Sequence, residues 1–331
     1  MAGRRRKKSG GRSYAWRYRG RIVACVFVEV IIICALVIMI GWNKGVKEWF
    51  EQFEQPVLKE VDISGINSPN AILMQARGGK ILGEINGEAQ IYPASMTKIM
   101  TVILGIENFD DLDEKITLTD EMFTGLYEQD ATQAGFQPGE EVRVIDLLYG
   151  AMLPSGAECC IALADTISGS EADFAELMNK KARKLGMENT HFCDSTGLHN
   201  PDHYSTVKDI AVLMKYCIKN DTFREIVETS RHSTGVTNIH PDGITYYSTM
   251  FKNLSAPTVT GGKILGGKTG YTSEAGHCLV SFAEIEGREY IFVSAGASGA
   301  DGNTIPHIQD AVTVYNRVGA AIGEKMNDNN K

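Results

Sequence analysis

Apolar positions fall into three patterns along this chain. Ile22 to Trp42 is almost continuously apolar and about 21 residues long, enough to cross the hydrocarbon core of a bilayer. After it, Ala71-Ile72-Leu73-Met74 and Lys80–Ile85 flank Arg77-Gly78-Gly79 and read as a hairpin with a glycine turn. Apolar residues then recur at helical spacing over 95–108, 144–168, 171–185 and 209–219, with a polar connection from Thr119 to Glu141. From Val259 the pattern returns to strands, over 263–269, 278–285 and 290–297 with short turns such as Glu286-Gly287-Arg288. An amphipathic helix over 306–322 follows. Strands at both ends and helices between predict an α/β (α+β) fold: an antiparallel sheet flanked by helices, with an inserted helical subdomain. The expected partition is a basic tail 1–21, a span 22–42, a stalk 43–68, a folded body 69–323 and a disordered tail 324–331.

Charge changes the picture at the N-terminal end. Residues 1–47 hold eleven of the 33 Lys/Arg and one of the 41 Asp/Glu, Glu29, leaving 22 and 40 for 48–331, a net of −18. The acidic body offers no basic face for nucleic acid. Nine basic residues from Arg4 to Arg21 precede the span, and only Lys44 and Lys47 follow closely. The positive-inside rule then places 1–21 in the cytoplasm and everything after Trp42 outside. With no small-x-small cleavage site after it, the span reads as an uncleaved signal anchor.

Seven cysteines and seven histidines bring no metal or redox pattern: there is no CxxC and no H-E-x-x-H, and neither metal nor cofactor is expected. Cys159, Cys160, Cys193, Cys217 and Cys278 read as small core residues, with room for one disulfide whose pairing the spacing leaves open.

Three short stretches carry candidate chemistry. In Pro93-Ala94-Ser95-Met96-Thr97-Lys98, serine and lysine stand three apart at the head of an apolar helix, so hydroxyl and amine share a face. A serine needs a neighbouring base to become a nucleophile, and a desolvated lysine supplies one. Helix N-termini also leave backbone N–H groups free for a developing oxyanion. Ser155, in Leu153-Pro154-Ser155-Gly156-Ala157, lies between two apolar segments, where a hydroxyl can point into a cleft. Gly266-Gly267-Lys268-Thr269-Gly270-Tyr271 ends a strand-like run, and its small residues let a substrate backbone approach the lysine. Taken singly, each has a bland reading: a capping serine with a solvated lysine, a loop serine, an edge-strand lysine.

In this order, Ser95-x-x-Lys98, Ser155-Gly156-Ala157 and Lys268-Thr269-Gly270 resemble the penicillin-binding protein and serine β-lactamase superfamily, whose marks are S-x-x-K, S-x-N and K-T-G. Tyr92-Pro93-Ala94, Asn189–Phe192, Ser195–His199 and Tyr204–Asp209 narrow the likeness to the low-molecular-mass serine D-alanyl-D-alanine carboxypeptidases, over about residues 65–300. The resemblance implies Ser95 as nucleophile, Lys98 as its base, Ser155 in the proton relay, and Lys268 and Thr269 on the substrate carboxylate. Gly270 and Tyr271 complete the binding strand, with the N–H groups of Ser95 and Tyr271 as oxyanion hole. It implies peptidoglycan stem peptides as substrate and β-lactam antibiotics as covalent inhibitors. One departure stands out: the asparagine of the second motif is Ala157. Two alternatives follow, a serine β-lactamase, for which E-x-x-L-N is missing, and a weakly active or non-catalytic wall-binding homologue.

Overall fold

Six strands drawn from the two ends of the folded body pair into one antiparallel sheet. The computed structural model describes residues 58–254, 256–299 and 305–329. In chain order the elements are β1 (Asn70–Gln75), β2 (Ile81–Ile85), α1 (Lys98–Asn108), β3 (Lys115–Thr117), β4 (Glu141–Arg143), α2 (Val144–Met152), α3 (Ala157–Ser168) and α4 (Glu171–Leu185). They continue with α5 (Val207–Cys217), α6 (Asp221–Glu228), β5 (Arg231–Ser233), β6 (Thr245–Tyr247), α7 (Thr249–Asn253), β7 (Thr258–Val259), β8 (Gly262–Thr272), β9 (Gly276–Ile285), β10 (Arg288–Ala297) and α8 (Pro306–Asn329). The sheet order is β2-β1-β10-β9-β8-β7, with β3-β4 and β5-β6 as separate two-stranded pieces. The expected fold, an antiparallel sheet with helices inserted between its two halves, is the one observed.

The sheet is buried on both faces, and side-chain alternation shows how. Ile72 and Met74 of β1, Val280 and Phe282 of β9, and Ile291 and Val293 of β10 join the large core formed with α1–α6. Their neighbours Ala71 and Leu73, Leu279 and Ala283, and Tyr290 and Phe292 face the other way, onto Ile308, Ala311, Val314, Tyr315 and Val318 of α8. The Tyr315 hydroxyl, 3.1 Å from Ser281 Oγ, also accepts the Phe292 N–H. Rigid packing on both faces holds β8, which carries the lysine, at a fixed height.

Four boundaries differ from expectation. Ser95 lies not in α1 but in a preceding 3₁₀ turn, Ala94–Thr97, because Ala94 takes a left-handed φ of 47° and the regular helix starts only at Lys98. The helical stretch 144–168 breaks at Leu153–Gly156, where Ser155 has φ 74°. Part of the expected stalk belongs to the body: Leu58, Val61 and Ile63 are buried in the α8-side core, and Asp310 accepts both the backbone N–H and the hydroxyl of Ser68. Residues 324–329, expected as a disordered tail, continue α8: Glu324-Lys325-Met326 are good helix formers, and the helix runs on through Gly323 before them. The expected span Ile22–Trp42 lies outside the described residues, among which no helix is long and apolar enough to cross a membrane. Cys159, Cys160, Cys217 and Cys278 are buried free thiols, as expected of core residues; Cys193 is half-buried.

Candidate active site

Two walls meet at the candidate site. The first is built by the Ala94–Thr97 turn, the head of α1 and the α2–α3 break; the second is the end of β8. They touch where a Cβ on Gly270 would lie 3.0 Å from the Ser95 amide nitrogen, tighter than a side chain ordinarily sits, so glycine lets the strand pass this close without a shift. Gly197 does the same from a third side: its φ is 81°, and a Cβ there would overlap the Ala94 carbonyl at 1.9 Å. Left-handed φ at Ala94 and Ser155 is backbone strain concentrated where both serines are aimed inward.

A chain of hydrogen bonds links the four polar residues singled out in the sequence. Lys98 Nζ donates to Ser95 Oγ at 3.0 Å. Ser155 Oγ donates to the same oxygen at 3.0 Å. Lys268 Nζ in turn donates to Ser155 Oγ at 2.9 Å and to the Thr269 carbonyl at 2.9 Å. Thr269 Oγ1 sits 2.7 Å from Thr249 Oγ1. An open cavity of about 440 Å³ adjoins this chain, lined by Ser95, Ser155, Thr269, Gly270 and Tyr271 among others. Tyr271 stands on its rim with a 61% exposed side chain, so its contribution to the interior comes from the backbone.

Both lysines are buried, at 3% and 1% exposure, and burial holds both below the usual lysine range. Their surroundings differ. Around Lys98, the Cys160 thiol and the carboxylates of Asp194 and Glu158 oppose the desolvation. Around Lys268, the charge of Lys98 adds to it. A lysine that gives up its proton readily, 3.0 Å from a serine oxygen, has the geometry of a general base.

Several residues in this arrangement carried no role in the sequence reading. The Thr196 carbonyl accepts from Lys98 Nζ at 2.7 Å and so aims the amine. Thr196 is held by Asp194, whose Oδ1 accepts the Thr196 N–H, the Thr196 hydroxyl and the Gly197 N–H, each at 2.7 Å. Asp194 Oδ2 meets His203 Nδ1 at 3.0 Å, and His203 Nε2 meets Thr97 Oγ1 at 2.9 Å, tying this loop back to the Ser95 turn. Burial opposes the charge of Asp194, but His203, Thr196 and Gly197 outweigh it and hold the carboxyl at about 2. Glu171 accepts the hydroxyl of Ser195 at 2.5 Å, while the Ser195 carbonyl accepts from Thr101 of α1. The only local signal was the run Asp194-Ser195-Thr196-Gly197, which offers side-chain acceptors to its own backbone.

Ala157 is 1% exposed, and its N–H donates to the Thr132 carbonyl at 2.8 Å. It is not among the residues lining the cavity, where Asp130 and Thr132 stand beside Ser155 instead.

Comparison with known proteins fits this geometry. The model of the D-alanyl-D-alanine carboxypeptidase family (peptidase S11) matches residues 57–299. D-alanyl-D-alanine carboxypeptidase DacF of Bacillus subtilis (strain 168) is 35% identical over 231 residues, 69% of this chain and 57% of the relative. DacC of Escherichia coli (strain K12), of the same description, is 33% identical over 262 residues, 72% of this chain and 58% of the relative. The chain thus spans under three fifths of the length of these two curated relatives. The crystal structure of the Streptomyces K15 DD-transpeptidase superposes with a TM-score of 0.69 at 29% identity, covering 79% of this chain and 100% of that one. On the family match over 57–299, and with the serine–lysine geometry in place, this chain belongs to the D-alanyl-D-alanine carboxypeptidase family.

Proposed function

We propose that this protein is a serine D-alanyl-D-alanine carboxypeptidase that removes the terminal D-alanine from peptidoglycan stem peptides through an acyl-enzyme on Ser95. The observation that carries the reading is the continuous chain Lys98–Ser95–Ser155–Lys268, every link 2.9–3.0 Å. Neutral Lys98 takes the Ser95 proton as Oγ attacks the penultimate D-alanine carbonyl, forming a C–O bond. The oxyanion is received by the N–H groups of Ser95 and Tyr271. The C–N bond then breaks, and the departing amine of the last D-alanine takes a proton relayed through Ser155 from Lys98. Water, deprotonated by Lys98, hydrolyses the ester and frees Ser95. Lys268 and Thr269 hold the terminal carboxylate; binding that anion opposes the desolvation of Lys268 and lets the lysine carry its charge. β-Lactams enter as substrates whose acyl-enzyme is slow to hydrolyse.

On this reading residues 22–42 anchor the chain, 1–21 are cytoplasmic, and the catalytic body faces the wall. The basic asymmetry about the span supports that orientation. Two assays test the proposal. The purified full-length chain in detergent should release D-alanine from a peptide ending in D-Ala-D-Ala; no release, with no penicillin adduct, ends it. Protease added to intact protoplasts should remove the body; full protection reverses the topology.

A further inference from the structure

Among the described residues that line the cavity beside Ser95 and Ser155, Asp130 alone carries a carboxylate. It is exposed, no side chain among the described residues pairs with it, and the mechanism does not use it. The loop that carries it is nonetheless firmly seated. Asp130 has a left-handed φ of 49°, a conformation that aspartate tolerates better than most residues. Its N–H donates to the Tyr127 carbonyl at 3.1 Å, and the Ala131 N–H donates to the Leu126 carbonyl at 2.9 Å. Just beyond, the Thr132 carbonyl accepts the Ala157 N–H at 2.8 Å. Glu158, which is fully buried, accepts the N–H groups of Ala134 at 2.6 Å and Gly135 at 3.0 Å through Oε1. Gly156 completes the seat: a Cβ there would lie 2.8 Å from the Ala134 Cβ, so the loop rests directly on the segment that presents Ser155. An unpaired carboxylate thus stands at the cleft on a loop fixed before any ligand arrives, which lowers the cost of using it.

We infer that Asp130 is a specificity-determining residue of the cleft, its carboxylate pairing with an ammonium group on the part of the substrate that precedes D-Ala-D-Ala. The inference rests on the carboxypeptidase reading and names a substrate feature that reading leaves open. The terminal dipeptide brings one charge, its carboxylate, and Lys268 and Thr269 take it. A cation for Asp130 therefore comes from a residue N-terminal to that dipeptide. A metal ion suits the place poorly. Hard cations take about six to eight oxygen ligands, Asp130 offers one carboxylate, and among the described residues no three His, Cys, Asp or Glu are grouped to hold one. An ammonium needs only one carboxylate. No lysine or arginine among the described residues lines the cavity to compete for Asp130, and Lys98 and Lys268 are both buried.

The test compares two peptides that differ in one charge: Nα-acetyl-L-lysyl-D-Ala-D-Ala, whose side-chain amine is free, and the Nα,Nε-diacetyl peptide, whose amine is capped. The reading is the ratio of their kcat/KM values for D-alanine release by the full-length chain in detergent. Both peptides are run on the same preparation, so a variant that folds less well leaves the ratio untouched. The wild-type ratio should favour the free amine about threefold, the scale of an exposed ion pair, and should fall toward one as salt is added. Asp130→Asn should bring the ratio to about one, and Asp130→Lys should push it below one by like-charge repulsion. A wild-type ratio of one or less, a ratio unchanged in Asp130→Asn, or one no lower in Asp130→Lys than in Asp130→Asn overturns the role of Asp130, while turnover of either peptide still upholds the carboxypeptidase reading. No D-alanine from either peptide with the wild-type chain sinks that reading itself.

Discussion

The two walls of the cleft present the same residue, a buried lysine beside a serine hydroxyl, in opposite electrical settings. On the helical wall, Lys98 is accompanied by the carboxylates of Asp194 and Glu158 and is aimed by the Thr196 carbonyl. On the strand wall, any charge on Lys98 adds to the desolvation of Lys268, which donates to Ser155 and to its own strand. In the first setting carboxylates offset part of the desolvation of an amine that touches Ser95; in the second a like charge adds to the desolvation until an anion arrives. Residue type alone does not divide the labour. The charges around each amine do.

If that division holds, substitutions on the two walls must fail differently. Ser95→Ala should abolish the covalent adduct, since no nucleophile remains, and Lys98→Ala should slow acylation by about 10³-fold with the hydroxyl still present. Equal adduct formation in either variant would break the comparison outright. Lys268→Ala should cost about 10- to 100-fold, seen mainly in KM for a D-Ala-D-Ala peptide, because a charge-assisted contact is lost while the base survives. A loss confined to kcat would mean that Lys268 acts on the reaction rather than on the carboxylate.

Dependence on pH sharpens the same contrast. With the amine of Lys98 held below the usual range by burial, acylation should rise with pH along a limb lying below an ordinary lysine's titration at about 10.4, and Lys98→Ala should flatten it. Asp194 works in the other direction. Its folded carboxyl, at about 2, lies below its unfolded value, so it stabilises the fold fully above about pH 4 and progressively less as pH falls toward 2. Asp194→Asn should therefore cost about 2 kcal/mol in denaturant unfolding at neutral pH, with the gap closing in acid. The smallest effect belongs to Ala157→Asn: restoring an amide beside Ser155 should raise acylation severalfold, and a lower rate would show that the Thr132 side of the cleft has no room for it.

How far the sequence carried differs between the same two walls. Lys268 was legible because Gly266-Gly267 and Gly270 mark a strand that something approaches closely, and β8 runs straight through them. Ser95 and Lys98 were legible as a pair but not in their true conformation: Ala94 is an alanine with φ 47°, which no propensity announces, and it converts the expected first helical turn into 3₁₀. The supports of the helical wall were invisible. Asp194, His203 and Thr97 form one hydrogen-bonded path, yet Thr97 and His203 stand 106 residues apart, and only the folded chain brings them within reach. The stalk was misjudged for a related reason. Leu58, Val61 and Ile63 are too few to declare an element, and become core only because α8, at the far end of the chain, covers them.

The central claim is that Ser95 is the one residue activated for attack. Exposure of the full-length chain to benzylpenicillin, followed by intact-mass and peptide mass spectrometry, tests it directly. The account predicts a single added penicilloyl group on the peptide containing Ser95, lost in Ser95→Ala and formed far more slowly in Lys98→Ala. An adduct mapped to any other residue, or one that persists in Ser95→Ala, would contradict it.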